Sequence, residues 1–217
     1  MIETGVSFGG IHSFYDLNLI LAPFTPTPAT PKTVYVDVAG ADEPLDLTEA
    51  HGKVFFNPRD FQFTFTINPT DKMTFDEKVT QISNALNGKR CKITLDRDPD
   101  YYWLGRCVVN QYKQDRRIGQ VVVSAKVNPY KLKQNPTVRS YTLTAEEQTV
   151  RLQNGRKSVV PVFECTHDNT VVVFGDITET MSAGTHKVLD ICFKEGINVL
   201  KLSGTGTITI TYQEGEL

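Results

Sequence analysis

Alternating apolar and polar positions run through most of this chain. Residues 61–67 place phenylalanine or isoleucine at every second position, with glutamine or threonine between them, and residues 34–38 and 207–212 repeat the alternation. This period of two is typical of a strand with one buried face. Continuous apolar runs at 121–123 and 171–174 favour strands that are covered on both faces. The pattern therefore predicts a mainly β protein.

One segment has helical spacing instead. Thr74 and Glu77 form a capping-box pattern, in which each residue satisfies a backbone amide of the other. The apolar residues that follow share one helical face, and they are Phe75, Val79, Ile82 and Leu86. Asn87-Gly88 is a typical helix stop. We predict one helix from about Phe75 to Leu86, with this face against a sheet.

The chain divides into two parts by its pattern. Long strands are predicted at 90–95, 101–110 and 118–128, and a segment with two prolines and no alternation follows at 128–136. Residues 138–217 contain turn signals every 8 to 12 residues, which favours an antiparallel sandwich or jelly roll. We therefore predict one domain at 1–132 and a second at 133–217.

Composition and charge narrow the classes of function. The 217 residues contain 23 Lys plus Arg and 25 Asp plus Glu, a net charge of −2. Binding to nucleic acid by bulk charge needs a cationic excess, so no sequence-specific nucleic-acid partner is expected. No apolar run approaches the roughly 20 residues of a membrane-spanning helix, so no membrane insertion is expected. The first residues carry no secretory pattern, which predicts synthesis in the cytoplasm.

The sequence contains little that supports catalysis. Its tightest candidate cluster is His12, Ser13 and Asp16, but no strand–turn–helix nucleophile motif surrounds it. A turn histidine bonded to nearby backbone is the alternative. No phosphate-binding glycine motif is present. We expect no enzyme activity, no catalytic residues and no cofactor.

The cysteines predict packed thiols rather than a metal site. Cys91 and Cys107 lie equally far from Pro99, so they could face each other across a hairpin, and we expect both to stay reduced in a cytosolic chain. Strand pairing could in principle bring together two Cys and two His. Structural zinc sites, however, usually take their ligands in pairs that are close in the sequence and lie in turns, and such pairs are missing here. We expect no metal. The four residues of that arrangement are Cys165, His167, His186 and Cys192.

Sugar binding stays open as an alternative for the second domain. Saccharide sites commonly stack a sugar on an exposed aromatic ring. The single tryptophan, Trp103, lies in the first domain. The aromatic residues of the second domain occupy apolar strand positions and are expected in its core. They are Tyr141, Phe163, Phe174, Phe193 and Tyr212.

The order of several motifs resembles a known family. The chain opens with an FGGIHSFYDL segment at 8–17 that precedes a strand, and VAGADEPLDLT follows at 38–48. Next come the capped helix, YYWLGR at 101–106 and NPYK at 128–131. The last motifs are GINVL at 196–200 and GTG at 204–206. This series, which covers nearly the whole chain, resembles the distal tail proteins of siphophages, the phages with long non-contractile tails.

The resemblance implies a fold and a place in the virion. It implies an N-terminal β-sandwich with one α-helix, related to tail-tube proteins, and a C-terminal galectin-like jelly-roll sandwich. It implies a structural virion protein of a phage or prophage that forms a hexameric ring at the tail tip, or baseplate, after assembly in the host cytoplasm. The implied partners are the tail tube protein, the tail-associated hub or lysin protein and the receptor-binding protein. The alternative is a carbohydrate-binding module that recognises a host saccharide.

Two strands are our candidates for contact between copies. A self-assembling ring needs strands that a neighbouring copy covers, and head-to-tail pairing would protect their edges. Each strand could equally complete the subunit's own sheet. The candidate residues are Val34, Val36 and Val38 on one strand and Phe61, Phe63 and Phe65 on the other.

Overall fold

The computed structural model describes residues 5–67, 73–115 and 118–217. It divides into two compact units, Met1–Lys131 and Leu132–Leu217. The predicted boundary stands one residue later, between 132 and 133. No helix within the described residues is long and apolar enough to cross a bilayer.

The first unit contains one large antiparallel sheet. The strands and the helix of this unit, in chain order, are β1 (Val6–Phe8), β2 (Ile11–His12), β3 (Leu19–Leu21), β4 (Tyr35–Val36), β5 (Leu45–Asp46), β6 (Arg59–Ile67), α1 (Phe75–Leu86), β7 (Arg90–Leu95), β8 (Tyr101–Asp115) and β9 (Ile118–Val127). Seven strands join in the order β2-β1-β7-β8-β9-β6-β3. The other two, β4 and β5, pair with each other and with no further strand among the described residues.

This sheet curls until its ends face each other. Four strand spacings of about 4.8 Å separate β1 from β6, so their side chains would lie about 19 Å apart in a flat sheet. The rings of Phe8 on β1 and Phe63 on β6 are instead 5.4 Å apart, edge to face. The apolar core fills the space between the two layers. The predicted N-terminal sandwich is confirmed, and both of its layers come from one continuous sheet.

The helix occurs where the pattern predicts it. α1 spans Phe75–Leu86, and Thr74 and Glu77 form the complete capping box. Ile82 and Leu86 are buried in the core of the first unit, and Phe75 and Val79 are half-buried. The amide of Asn87 donates to the Ser83 carbonyl and closes the last turn. Local capping and one apolar face thus account for the element.

The second unit is a sandwich of two four-stranded antiparallel sheets. The chain enters it within β10 (Lys131–Lys133), and one sheet has the order β11-β18-β13-β16 and the other β12-β17-β14-β15. The strands are β11 (Thr137–Thr142), β12 (Gln148–Asn154), β13 (Val162–Cys165), β14 (Thr170–Phe174), β15 (Ile177–Met181), β16 (Gly184–His186), β17 (Gly196–Ser203), β18 (Thr207–Tyr212) and a short final β19 (Gly215–Glu216). A second apolar core fills this sandwich. The predicted antiparallel sandwich is confirmed.

Candidate assembly surface

A long excursion separates β3 from β6 in the first unit. We call residues 32–56 the arm, because they leave the curled sheet and return to it. Its base is closed by backbone hydrogen bonds, with the amide of Lys32 donating to the Phe55 carbonyl at 2.7 Å. The amide of Asn57 donates to the Thr30 carbonyl at 2.9 Å. The arm is therefore anchored at both ends.

The register of the arm places its apolar residues on one face. Val36 pairs with Leu45 across β4 and β5. The amide of Leu47 donates to the Val34 carbonyl at 2.8 Å, which continues the same register. Residues opposite each other in an antiparallel pair point to the same side, and alternation adds Val38. Five aliphatic side chains therefore share one face of the hairpin.

That face is uncovered in the single chain. The exposed fractions are 49% for Val34, 43% for Val36, 48% for Val38, 53% for Leu45 and 38% for Leu47. None of these residues belongs to the apolar core of the first unit, as far as its described residues show. A two-stranded hairpin alone is marginally stable in water, and a contiguous exposed apolar patch marks an interaction site. The arm thus has the chemistry of a surface that a partner covers.

The arm is also acidic. It contains five carboxylates and two lysines, so its net charge, with His51 neutral, is −3. The Thr48 amide donates to Asp46 Oδ1 at 2.8 Å, and hydrogen bonds from the Thr48 side chain and amide lower the pKa of Asp46. Asp46 is therefore ionised at neutral pH. The carboxylates of the arm belong to Asp37, Asp42, Glu43, Asp46 and Glu49.

The structure separates the two candidate contact strands. Val34, Val36 and Val38 are exposed on the arm. The side chains of Phe61, Phe63 and Phe65 are at most 1% exposed and form part of the core. Their strand β6 pairs with β9 on one side and β3 on the other. As a correction to the candidate set, the phenylalanine strand completes the subunit's own sheet.

Sequence analysis alone missed Leu45 and Leu47. Both belong to a short alternation, Leu45-Asp46-Leu47, and Gly40 lies between it and the valine strand. Gly40 has a φ of 84°, a left-handed conformation that glycine adopts without steric cost. A turn glycine between two alternating segments is a hairpin signal, so the pairing was detectable.

The candidate catalytic cluster has no relay of hydrogen bonds. His12 Nδ1 accepts from the amides of Phe14 and Tyr15, and His12 Nε2 lies 3.0 Å from Asp96 Oδ2. Ser13 Oγ accepts from the Val6 amide at 3.2 Å. The amide of His12, not its ring, bonds Asp16. The ring contacts hold the turn that follows β2, as the turn-histidine alternative supposes, although the ring accepts from amides instead of donating to a carbonyl.

The residues of the possible metal site do not form a cluster. β13, which carries Cys165, does pair with β16, which carries His186. His186 Nε2 donates to the Ser182 carbonyl at 2.8 Å, and His167 Nδ1 lies 2.9 Å from Thr166 Oγ1. Among the residues that the structure describes, no group of three or more Cys, His, Asp or Glu could hold a metal ion.

The aromatic residues of the second unit face inward. Phe163, Phe193 and Tyr212 are buried, and Tyr141 and Phe174 pack against the same core. Residues 132–217 are all described, and none of their aromatic side chains is exposed. This unit therefore offers no exposed ring on which a sugar could stack.

Comparison with known proteins bears on the fold. No family model matches the sequence, and no curated protein matches it. Among solved structures, the chain is similar to the crystal structure of the SPP1 Dit protein (gp 19.1), described as a paradigm of the hub adsorption apparatus in phages that infect Gram-positive bacteria. The TM-score is 0.69 at 13% sequence identity, and the likeness covers 99% of each chain. The fold predicted from the motif order is thus confirmed.

Proposed function

We propose that this protein is a structural component of the tail tip of a siphophage or of a related prophage. The observation that carries the proposal is the uncovered apolar face of the arm, which needs a partner. The fold shared with a phage hub protein supports the same role. In this proposal the protein acts through assembly and catalyses no reaction.

The proposed assembly is a closed ring of six copies at the distal end of the tail. An arm that docks on a different surface of the next copy makes a head-to-tail contact, and repeated contacts of this kind close into a ring. Six copies of the 24.3 kDa chain have a mass of about 146 kDa. The ring would connect the tail tube protein to the tail-associated hub or lysin protein and to the receptor-binding protein.

Saccharide recognition by the second unit is the weaker proposal. It rests on the jelly-roll pattern and the tyrosines of this unit. The inward position of all its aromatic rings gives it no support.

Light scattering coupled to size exclusion tests the assembly role. We expect the full chain to form a discrete oligomer near the mass of six copies, and an electron micrograph to show hollow discs. Val36→Asp and Leu45→Asp, each of which places a charge on the apolar face, should leave a monomer with an unchanged circular dichroism spectrum. Leu189→Asp is the matched control, because Leu189 is 76% exposed and lies outside the arm. A native chain that stays monomeric at every concentration, or an oligomer that both arm variants preserve, contradicts the proposal.

A further inference from the structure

A row of cations crosses three neighbouring strands of the first unit. Arg90 on β7 lies opposite Arg106 on β8, and Arg106 lies opposite Lys126 on β9. All three side chains are exposed. We call these three residues the basic row. Their alignment is a product of strand register, because they are far apart in the sequence.

The basic row should destabilise the sheet in an isolated chain. Like charges directly opposite each other on neighbouring strands destabilise a sheet. No described carboxylate forms an ion pair with Arg90, Arg106 or Lys126. Arg106 Nη1 donates to the Gly88 carbonyl at 2.5 Å, which leaves the charge without a counterion. Asp60 on β6 is next in the row, opposite Lys126, and is not within ion-pair distance of it.

The surroundings of the row are cationic and partly apolar. Lys92 is two residues beyond Arg90 on the same outward face, and its Nζ lies 4.4 Å from the centre of the Tyr102 ring. Val108 is two residues beyond Arg106, also on that face, and is 43% exposed. The outward positions of β7, β8 and β9 that lie two residues from the row carry no carboxylate, so the carboxylate next to the row is that of Asp60, at its β6 end. This surface fits a partner that is acidic and has an apolar strip.

The arm has those properties. It carries a net charge of −3, and five aliphatic side chains share one of its faces. Both the arm and the basic row belong to the first unit, and both are exposed in the same molecule. The two surfaces therefore do not cover each other within one copy. They are also different surfaces, so contact between them in two copies is head-to-tail.

We infer that the acidic arm of one copy lies across the basic row of the next copy, with Val108 beneath its apolar face. This inference rests on the proposed ring and names the surface that receives the arm. The arm supplies apolar burial, and the opposite charges set the register and orientation of the contact. Because the charges are near the surface, salt should weaken the contact.

Charge reversal on each side tests this inference in the full chain. The arm variant is Asp42→Lys with Glu43→Lys, two exposed carboxylates in the loop between β4 and β5, and the row variant is Arg90→Glu with Arg106→Glu. We expect each to weaken self-association at low salt by about tenfold or more. A chain that carries all four substitutions should recover most of the native association. Native association should also fall as the salt concentration rises.

A matched control separates this contact from a general effect of charge. Lys187→Glu with Lys194→Glu reverses two exposed cations in the second unit and should leave association unchanged. Thermal melting of each variant shows whether it folds. As a second measurement, a carbodiimide that couples carboxylates to amines should link the arm to Lys92 or Lys126 in mixed light and heavy isotope-labelled copies.

Each outcome supports or overturns a stated claim. Loss in both double variants with recovery in the fourfold variant supports the inference. Native assembly that neither reversal weakens, or cross-links from the arm only to other surfaces, overturns it and leaves the proposed ring intact. A native chain that never self-associates overturns both the ring and the arm contact.

Discussion

The sulfur atoms of Cys91 and Cys107 lie 3.7 Å apart on neighbouring strands of the first sheet. Cys91 is half-buried and Cys107 is fully buried, and both thiols are free. A hydrogen bond from the Cys107 thiol, and the nearby Lys89 cation to a lesser degree, lower the pKa of Cys91. The same sulfur contact and burial raise the pKa of Cys107. The pair therefore contains one half-buried thiol with a lowered pKa and one buried thiol with a raised pKa.

We predict that Cys91 is alkylated much faster than Cys107. A lowered pKa increases the thiolate fraction at neutral pH, and the thiolate is the form that reacts with iodoacetamide. Cys107→Ala removes the donor, so the pKa of Cys91 should rise and its alkylation should slow at neutral pH. Peptide mass spectrometry over a time course and a pH series measures both effects. Cys165→Ala, in the second unit, is the control and should leave the alkylation rate of Cys91 unchanged. Equal rates at Cys91 and Cys107 in the native chain, or an unchanged Cys91 rate in Cys107→Ala, would disprove the prediction.

The buried face of α1 should contribute strongly to the stability of the first unit. Leu86 is 2% exposed in the core, so Leu86→Ala removes apolar contacts and leaves a cavity. We expect this variant to lose about 2–5 kcal/mol of the free energy of unfolding. For Phe75→Ala, at a half-buried position, the loss should lie near the lower end of that range. Chemical denaturation measures it. Asn84→Ala, at an exposed position of the same helix, should change little, and equal losses at Leu86 and Asn84 would contradict the packing.

The N-terminal cap of α1 should make a smaller contribution. The amide of Glu77 donates to Thr74 Oγ1 at 3.3 Å, and the amide of Thr74 donates to Glu77 Oε2 at 2.9 Å. Thr74→Ala removes the acceptor of the Glu77 amide and should lower the free energy of unfolding by about 1 kcal/mol. Thr74→Ser keeps the hydroxyl and should lower it by less. Thermal denaturation of the three chains measures the difference.

The cap should also depend on pH. Hydrogen bonds from the Thr74 amide and side chain lower the pKa of Glu77 in the folded state. The stabilisation that ionised Glu77 contributes is therefore fully present above the pKa of Glu77 in the unfolded chain. It is lost as the pH falls through the lower pKa of Glu77 in the folded chain. The difference between native and Thr74→Ala chains should shrink in acid, and a difference that grows as the pH falls would contradict this assignment.

Arg59 should be a stabilising buried cation, and no carboxylate among the described residues forms an ion pair with it. Its Nε donates to the Thr27 carbonyl at 2.5 Å and its Nη1 to the Pro129 carbonyl at 3.3 Å. The guanidinium carbon lies 5.3 Å from the Phe61 ring centre and 5.7 Å from that of Trp103. Burial lowers the pKa of Arg59, but guanidinium stays charged at any ordinary pH.

Loss of that side chain should leave two backbone acceptors unpaired. We expect Arg59→Met, which keeps the bulk of the side chain, to reduce stability by about 1.5–3 kcal/mol. Arg59→Lys keeps the charge but not the forked donor geometry, so its stability should lie between those of the native chain and Arg59→Met. Denaturant titration measures all three, and an Arg59→Met chain as stable as the native protein would show that these bonds contribute nothing.

Elements with local causes were predictable from the sequence. The capping box, the apolar face and the stop at Asn87-Gly88 lie within 15 consecutive residues, and the helix begins and ends where they predict. The strands and the sandwich of the second unit follow from period-two alternation and regular turns. These features depend on residues that are close together in the sequence, so they can be recognised from the sequence alone.

Only the tertiary structure distinguishes the two candidate contact strands. Residues 34–38 and 61–67 have the same alternation, and alternation shows which side chains share a face, not what covers that face. The curl of the large sheet brings β1 against β6 and buries Phe61, Phe63 and Phe65, whereas Val34, Val36 and Val38 extend away from the core uncovered. The alignment of Arg90, Arg106 and Lys126 likewise follows from long-range register. The sequence by itself determined the strands, their faces and the helix, while the fold decided which face is covered and which charges meet, because both depend on pairing between distant segments.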